Sequence, residues 1–367
     1  MTEPPEVVEV FALVTGGGTG GHVYPAVALA HELVARDHPT DSIRFVGARR
    51  GLEARVVPAA GFAIDLLPGR GLQRRLTLAN LGSLWENALA VLRSRRIVKA
   101  TRPRVVVGVG GYASLPCLLA ARMRRVPAVV HEQNAAPGLA NRVAVRLGAR
   151  AAISLPGTPL RNAVLTGNPI RPEIAAVRRA PARPPIVAVM GGSLGAGRLN
   201  TAALALYDRW RDRDDVAVHH VTGPNHYDEC VAALAAARRP GDRLAYSLVS
   251  YEDHMDALYG HAALAVCRAG AVTVAELAAA GVPSVLVPLP GAPGDHQTRN
   301  ARSLVDAGAA VLLPDEACDG ARIDHEASEL LGAPARLDAM SHAARVLARP
   351  DAAARLADLV EQVADAG

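Results

Sequence analysis

The feature that most constrains this chain is an arrangement met twice: a short apolar run, a cluster of glycines, then a stretch of helical composition. It occurs first as Val7 to Val14, Gly16 to Gly21 and Tyr24 to Ala35. It recurs as Pro185 to Met190, Gly191 to Gly197 and Leu199 to Trp210. A run too short for a helix, closed by glycines and followed by helical spacing, reads as strand, tight turn, helix. Further strand candidates fall at 43–46, 105–109, 128–130 and 151–154, then at 217–221, 263–267 and 284–287, each separated by enough chain for a helix. Strands alternating with helices form parallel sheets through right-handed crossovers. The expected fold class is therefore α/β, with two Rossmann-like, doubly wound domains facing across a cleft, a favoured place for a ligand. The expected domains are 1–167 and 185–367, with 168–184 as linker and the last helices packing back on the first domain. Five prolines and four arginines between Asn168 and Pro185 interrupt any regular pattern there.

Composition removes several function classes. Aromatic residues make up 3% of the 367, too few for the stacking platforms of single-stranded nucleic-acid binders, so no nucleic acid is expected despite a net charge of +5. Lys99 is the one lysine and no GK[ST] occurs, which excludes a P-loop. The longest uncharged run, Leu277 to Gly294, contains Pro283, Pro288, Pro290 and Pro293 and is no spanning helix. Met1 to Val10 has three glutamates and no basic residue, unlike a secretory signal, so a cytoplasmic protein is expected. Cys117, Cys230, Cys267 and Cys318 show neither paired nor zinc-ligand spacing, so neither a disulfide framework nor a metal is expected.

Three glycine loops carry the chemistry. GGGTGGH, Gly16 to His22, satisfies G-x-G-x-x-G, and its glycines let the backbone approach a diphosphate at a helix start. The acidic residue that would hold a dinucleotide ribose after the second strand is missing. Arg49 there can instead accept a 2′-phosphate, which keeps an NADP-linked oxidoreductase as an alternative. GVGGYAS, Gly108 to Ser114, and GGSLGAG, Gly191 to Gly197, repeat the pattern, the latter with a hydroxyl at Ser193. Read structurally, such glycines merely close turns. Three of them at strand ends in two domains point to two substrates that both carry phosphate. In CRAGAVTVAE, Cys267 to Glu276, Gly270 and Ala271 allow close approach, Thr273 can bind phosphate, and Glu276 can accept from two ribose hydroxyls. A surface glutamate favouring its helix is the plainer reading.

Together with HEQNAAPGLANR from His131, GNPIR from Gly167 and AAAGVPSVLVPLP, these motifs resemble the MurG family of N-acetylglucosaminyltransferases, in family order over roughly Leu13 to Ala309. The resemblance implies a GT-B fold with the donor held mostly by the second domain. It implies inverting, metal-independent transfer of GlcNAc from UDP-GlcNAc to the C4 hydroxyl of MurNAc in lipid I, giving lipid II with a β-1,4 linkage, and no cofactor. The donor contacts it implies are Thr19, Gly20, Gly21, Asn134, Arg171, Ser193, Ala271, Val272, Thr273, Val274, Ala275, Glu276 and His296 or Gln297. The acceptor side falls on Gly18, Gly110, Gly111 and Tyr112. Departures from the pattern are Ala269 for a serine, Leu194 for a glutamine, and His296 where two adjacent glutamines are usual. The segment 251–254, near the expected uracil contact Glu252, aligns loosely.

His22 is the candidate base, because free imidazole titrates near 6.5 and this one ends the first loop, opposite the donor domain. A capping or packing histidine is the alternative, and His219, His220, His226, His254 and His261 are read as structural. Asp212–Arg213–Asp214 imitates a metal-binding DxD but precedes a strand and is read as a surface turn. Arg74, Arg75, Arg93, Arg95, Arg96 and Lys99 flank Leu76, Leu78, Leu81, Leu84 and Trp85. This suits either a packed amphipathic helix or docking on anionic inner-leaflet lipids, and the resemblance favours the second, a peripheral protein on the cytoplasmic face of the membrane. It also implies cell-wall synthesis and division proteins as partners. A UDP-GlcNAc 2-epimerase, sharing the two-domain fold, is a further alternative.

Overall fold

A computed structural model describes residues 9–49, 51–67, 79–111, 113–192 and 195–367, with the side chains of 79–87 outside the description. The chain divides into two compact units, Met1–Arg171 with Asp351–Gly367, and Pro172–Pro350.

The first unit runs β1 (Ala12–Thr15), α1 (Gly20–Ala35), β2 (Ile43–Ala48), α2 (Glu53–Ala59), β3 (Ala63–Leu67), α3 (Ala79–Thr101), β4 (Val105–Gly108), α4 (Ser114–Arg124), β5 (Ala128–Glu132), α5 (Leu139–Arg146), β6 (Arg150–Ile153) and β7 (Val164–Leu165). Among the described residues its strands form one parallel sheet in the order β3-β2-β1-β4-β5-β6-β7. Val105, Val106 and Val107 are fully buried, as expected of a parallel strand covered on both faces. One face packs Leu29, Leu33 and Val57 against Val14 and Val105; the other packs Cys117, Ala120 and Ala121 against Leu13 and Val106.

The second unit runs α6 (Pro172–Ala175), β8 (Ile186–Met190), α7 (Gly197–Trp210), β9 (Ala217–Val221), α8 (Tyr227–Ala237), β10 (Ala245–Val249), α9 (Met255–His261), β11 (Ala262–Cys267), α10 (Ala271–Ala280), β12 (Ser284–Leu286), α11 (His296–Val305), β13 (Ala310–Leu312), α12 (Gly320–Leu331) and α13 (Pro334–Leu347). Its parallel sheet has the order β10-β9-β8-β11-β12-β13. Trp210 and Tyr207 anchor its core beside Leu206, Val218 and Leu264. The final helix, α14 (Ala352–Asp365), belongs to the first unit, where Leu356 and Val360 join the core beneath α1.

Segment 172–184 is tied to the second unit. Ala180 N–H and Ala182 N–H donate to Gly260 and His261 carbonyls, and the Arg179 guanidinium donates to the carbonyls of Gly281 and Ala262. Burial lowers the Arg179 pKa to about 10. The four cysteines are buried and free. Among the described residues no helix is long and apolar enough to cross a membrane.

Candidate functional site

In an open parallel sheet, ligands bind beyond the carboxyl ends of the strands where the strand order reverses. The first sheet reverses between β1 and β4, the second between β8 and β11. The loops after these four strands are the three glycine loops and the start of CRAGAVTVAE.

In the first unit the loops after β1 and β4 pack backbone on backbone. Gly17 N–H donates to Gly110 carbonyl at 3.2 Å, and a Cβ on Gly111 would lie 2.2 Å from the Gly17 carbonyl oxygen. Gly18, Gly110 and Gly111 have φ of 96°, 88° and 80°, where a side chain is strained. Tyr112 lies outside the described residues.

Helix α1 begins four residues before the expected Tyr24, so Gly20, Gly21 and His22 form its first turn rather than the end of a loop. The cause is local. Thr19 is extended at the N-cap, its carbonyl takes the N–H groups of His22 and Val23, and Gly20 leaves room for the Tyr24 ring. His22 Nδ1 lies 3.3 Å from Thr19 Oγ1, and a Cβ on Gly110 would meet its Nε2 at 3.0 Å. The half-buried imidazole therefore rests its Cδ2–Nε2 edge against Gly110 of the second glycine loop.

At the end of β5 the buried Glu132 carboxylate accepts from the Asn134 N–H and side-chain amide, from Gly138 N–H and from the Asn141 amide, fixing the turn that carries Asn134. His131 is fully buried. Its Nε2 faces the Gly167 carbonyl at 2.9 Å and its Nδ1 the Gln133 amide at 3.1 Å, which suits a neutral ring protonated on Nε2. Burial, reinforced by His22, pushes its pKa down to about 4. The Arg171 guanidinium stacks 5.3 Å over the Tyr24 ring.

In the second unit the loop after β8 turns through Gly192 and Gly195, with φ of 86° and 82°; Ser193 and Leu194 lie outside the described residues. After β11, Gly270 caps α10, which stops at Gly281 in the left-handed region. The opening turn of α10, from Ala271, presents the unbonded N–H groups and positive dipole end that suit a phosphate. Glu276 is 5% exposed and accepts from Tyr259 Oη at 3.2 Å, so it is not a surface glutamate. Val272, Thr273 and Ala275 are half-buried, while Val274 packs into the unit.

Arg268, which motif reading passed over, holds the neighbouring strand ends together. Its guanidinium donates to the carbonyls of Val287 and Pro288 and to Asp315, whose other oxygen pairs with Arg198 at the start of α7. On α11, Gln297 Oε1 accepts from Leu289 N–H and His296 Nδ1 approaches the Pro293 carbonyl. Glu252 binds His219 and the His254 N–H.

Asp214 pairs with Arg243, both well exposed, and Arg213 with Asp215, so the DxD-like segment is engaged in surface ion pairs. Among the described residues no cluster of three or more His, Cys, Asp or Glu is placed to hold a metal. Of the basic and apolar stretch, Arg93, Arg95, Arg96 and Lys99 are exposed on α3; Arg74, Arg75, Leu76 and Leu78 lie outside the described residues, as do the side chains of Leu81, Leu84 and Trp85.

Two doubly wound units with glycine loops at both switch points make up an α/β fold of the GT-B type. The models for the glycosyltransferase family 28 N-terminal and C-terminal domains match residues 12–153 and 186–361. The chain belongs to glycosyltransferase family 28. It is 39% identical to a UDP-N-acetylglucosamine--N-acetylmuramyl-(pentapeptide) pyrophosphoryl-undecaprenol N-acetylglucosamine transferase of Desulforudis audaxviator, covering 97% of this chain and 99% of that one. An enzyme of the same name from Alkalilimnicola ehrlichii is 44% identical, covering 94% and 96%. Among solved structures it is similar to MurG of Acinetobacter baumannii, with TM-score 0.76 and 27% identity over 96% of this chain and 99% of that one. A UDP-GlcNAc 2-epimerase of Neisseria meningitidis shares the fold alone, at TM-score 0.65 and 12% identity over 96% of this chain and all of that one.

Proposed function

We propose that this protein transfers GlcNAc from UDP-GlcNAc to the C4 hydroxyl of MurNAc in undecaprenyl-pyrophosphoryl-MurNAc-pentapeptide, with inversion and without a metal. The supporting observation is that its three glycine loops and the start of CRAGAVTVAE sit at the two switch points, in a chain about 40% identical to transferases of that name along nearly its whole length.

The acceptor is assigned to the first unit, at Gly18, Gly110, Gly111 and Tyr112. The nucleotide is assigned to the second, with its phosphates on the loop of Ser193 and the turn Ala271 to Thr273, and its ribose on Glu276. Thr19, Gly20, Gly21, Asn134, Arg171, His296 and Gln297 complete the donor contacts. His22 takes the C4 proton as the oxygen bonds the anomeric carbon. The bond from that carbon to the β-phosphate oxygen breaks, and its electron pair leaves on UDP, steadied by the helix start at Ala271. Inversion converts an α-linked donor into a β-1,4 product. The exposed Arg93, Arg95, Arg96 and Lys99 support a peripheral place on anionic lipids of the cytoplasmic face, at about 1 kcal/mol per charge.

The test is incubation of the protein with radiolabelled UDP-GlcNAc and a short-chain analogue of the lipid acceptor in EDTA. Label should enter the lipid product. Label remaining with the nucleotide, or transfer that needs added magnesium or manganese, would reject the proposal.

A further inference from the structure

Glu53 opens α2 and is 2% exposed, and its carboxylate lies against the first glycine loop. Oε2 accepts from Gly18 N–H at 2.7 Å and Oε1 from Ala48 N–H at 2.8 Å. Three glycines make room for it. A Cβ on Gly17 would fall 2.2 Å from the carboxyl carbon, one on Gly51 2.0 Å from Oε2, and one on Gly47 2.4 Å from Cγ.

A glycine loop that cradles phosphate is expected to aim its N–H groups at the ligand. Here the Gly18 N–H is held by the protein's own carboxylate, so the loop is braced from within, and Gly18 is left to meet the acceptor by its open Cα face rather than by that N–H. The brace also reaches the second loop, because Gly17 N–H bonds Gly110 and the Gly17 carbonyl lies against Gly111.

We propose that Glu53 is a positioning residue that holds the first glycine loop in the shape that receives the acceptor diphosphate; this rests on the acceptor assignment made above. A carboxylate is required because each oxygen meets an N–H. A glutamine would accept from one and turn its own NH2 toward the other.

The test compares Glu53→Ala, Glu53→Gln and Gly51→Ala in steady-state transfer to a short-chain pyrophosphoryl-MurNAc-pentapeptide analogue, with UDP affinity by calorimetry. Gly51 lies outside the loop and has no left-handed φ, so its alanine reaches the loop only by displacing the carboxylate. Each variant should raise the acceptor KM about 10–100-fold, as loss of a charge-assisted hydrogen bond does, with UDP affinity, which rests mainly on the second unit, changed far less. Gly51→Ala should add nothing to Glu53→Ala. A merely structural glutamate would lower the active fraction, so a fall in kcat at unchanged acceptor KM overturns the proposal, as does wild-type behaviour. Loss of UDP affinity at unchanged acceptor KM would keep Glu53 as the loop's brace and overturn the acceptor assignment instead. Should Glu53→Ala not fold, Gly51→Ala, which deletes no buried group, decides the matter.

Discussion

The His22 imidazole, on the first turn of α1 and against Gly110, is held by a loop in one unit, whereas the buried Glu276 carboxylate belongs to the other. Substitutions at the two should therefore give different kinetic signatures. His22→Ala should lower turnover by about 10²–10⁴-fold, the usual contribution of a positioned base, with UDP binding nearly intact. Near-normal turnover would assign the proton to another group, and lost UDP affinity would move His22 to the donor site. Glu276→Ala should weaken UDP binding by about 1.5–3 kcal/mol for each charge-assisted hydrogen bond it removes, measured by calorimetry. Unchanged affinity would reject the ribose role. The glycines of these sites were legible in the sequence because they cluster. Glu53 was not, since its partner Gly18 is 35 residues away and a lone glutamate at the start of a short helix carries no pattern. Arg268 was hidden likewise, its partners lying on β12's end and at Asp315.

Among elements, the interior strands read correctly and the edge strands did not. β1, β4, β8 and β11 are flanked on both sides and nearly wholly buried, so they appear as unbroken apolar runs. The strands that escaped notice, β3, β7, β10 and β13, are the outermost of their sheets, and each exposes or half-exposes most of its residues. Their composition gives no continuous run to read. Helix α14 shows a different dependence on distant sequence. It is amphipathic, with Leu356, Leu359 and Val360 buried in the first unit's core and with Asp358 and Glu361 on the Arg36 guanidinium. Leu356→Ala should cost about 2–5 kcal/mol in denaturant unfolding, as large-to-small changes in a packed core do. Asp358→Ala should cost under about 1 kcal/mol, because that carboxylate is 67% exposed and water competes for the pair. Equal costs for the two would show that packing does not hold this helix.

Across the whole molecule, each unit buries a histidine in neutral form. His131 lies beside Gly167 and Gln133 in the first. In the second, His220 receives the Tyr246 hydroxyl on Nδ1 and faces Asn200 Oδ1 through Nε2. Burial lowers both pKa values from 6.5 to about 4. Between those limits the unfolded chain takes up protons that the folded chain refuses. Stability is therefore fully present above about pH 6.5 and falls as the pH drops toward 4, by up to about 3 kcal/mol per histidine. Denaturant midpoints measured from pH 7.5 to 4.5 should fall through this window, and His220→Gln should make the slope shallower. A flat profile would mean that the rings are already charged or are exposed.

The chemistry claimed for the molecule is most directly tested by the linkage in its product. After incubation with UDP-GlcNAc and the short-chain acceptor analogue, proton NMR of the isolated product should show a GlcNAc joined β-1,4 to MurNAc, with one UDP released per disaccharide. An α linkage would contradict inversion, and a 2-epimerised nucleotide sugar with no disaccharide would place the protein with the epimerases that share its fold.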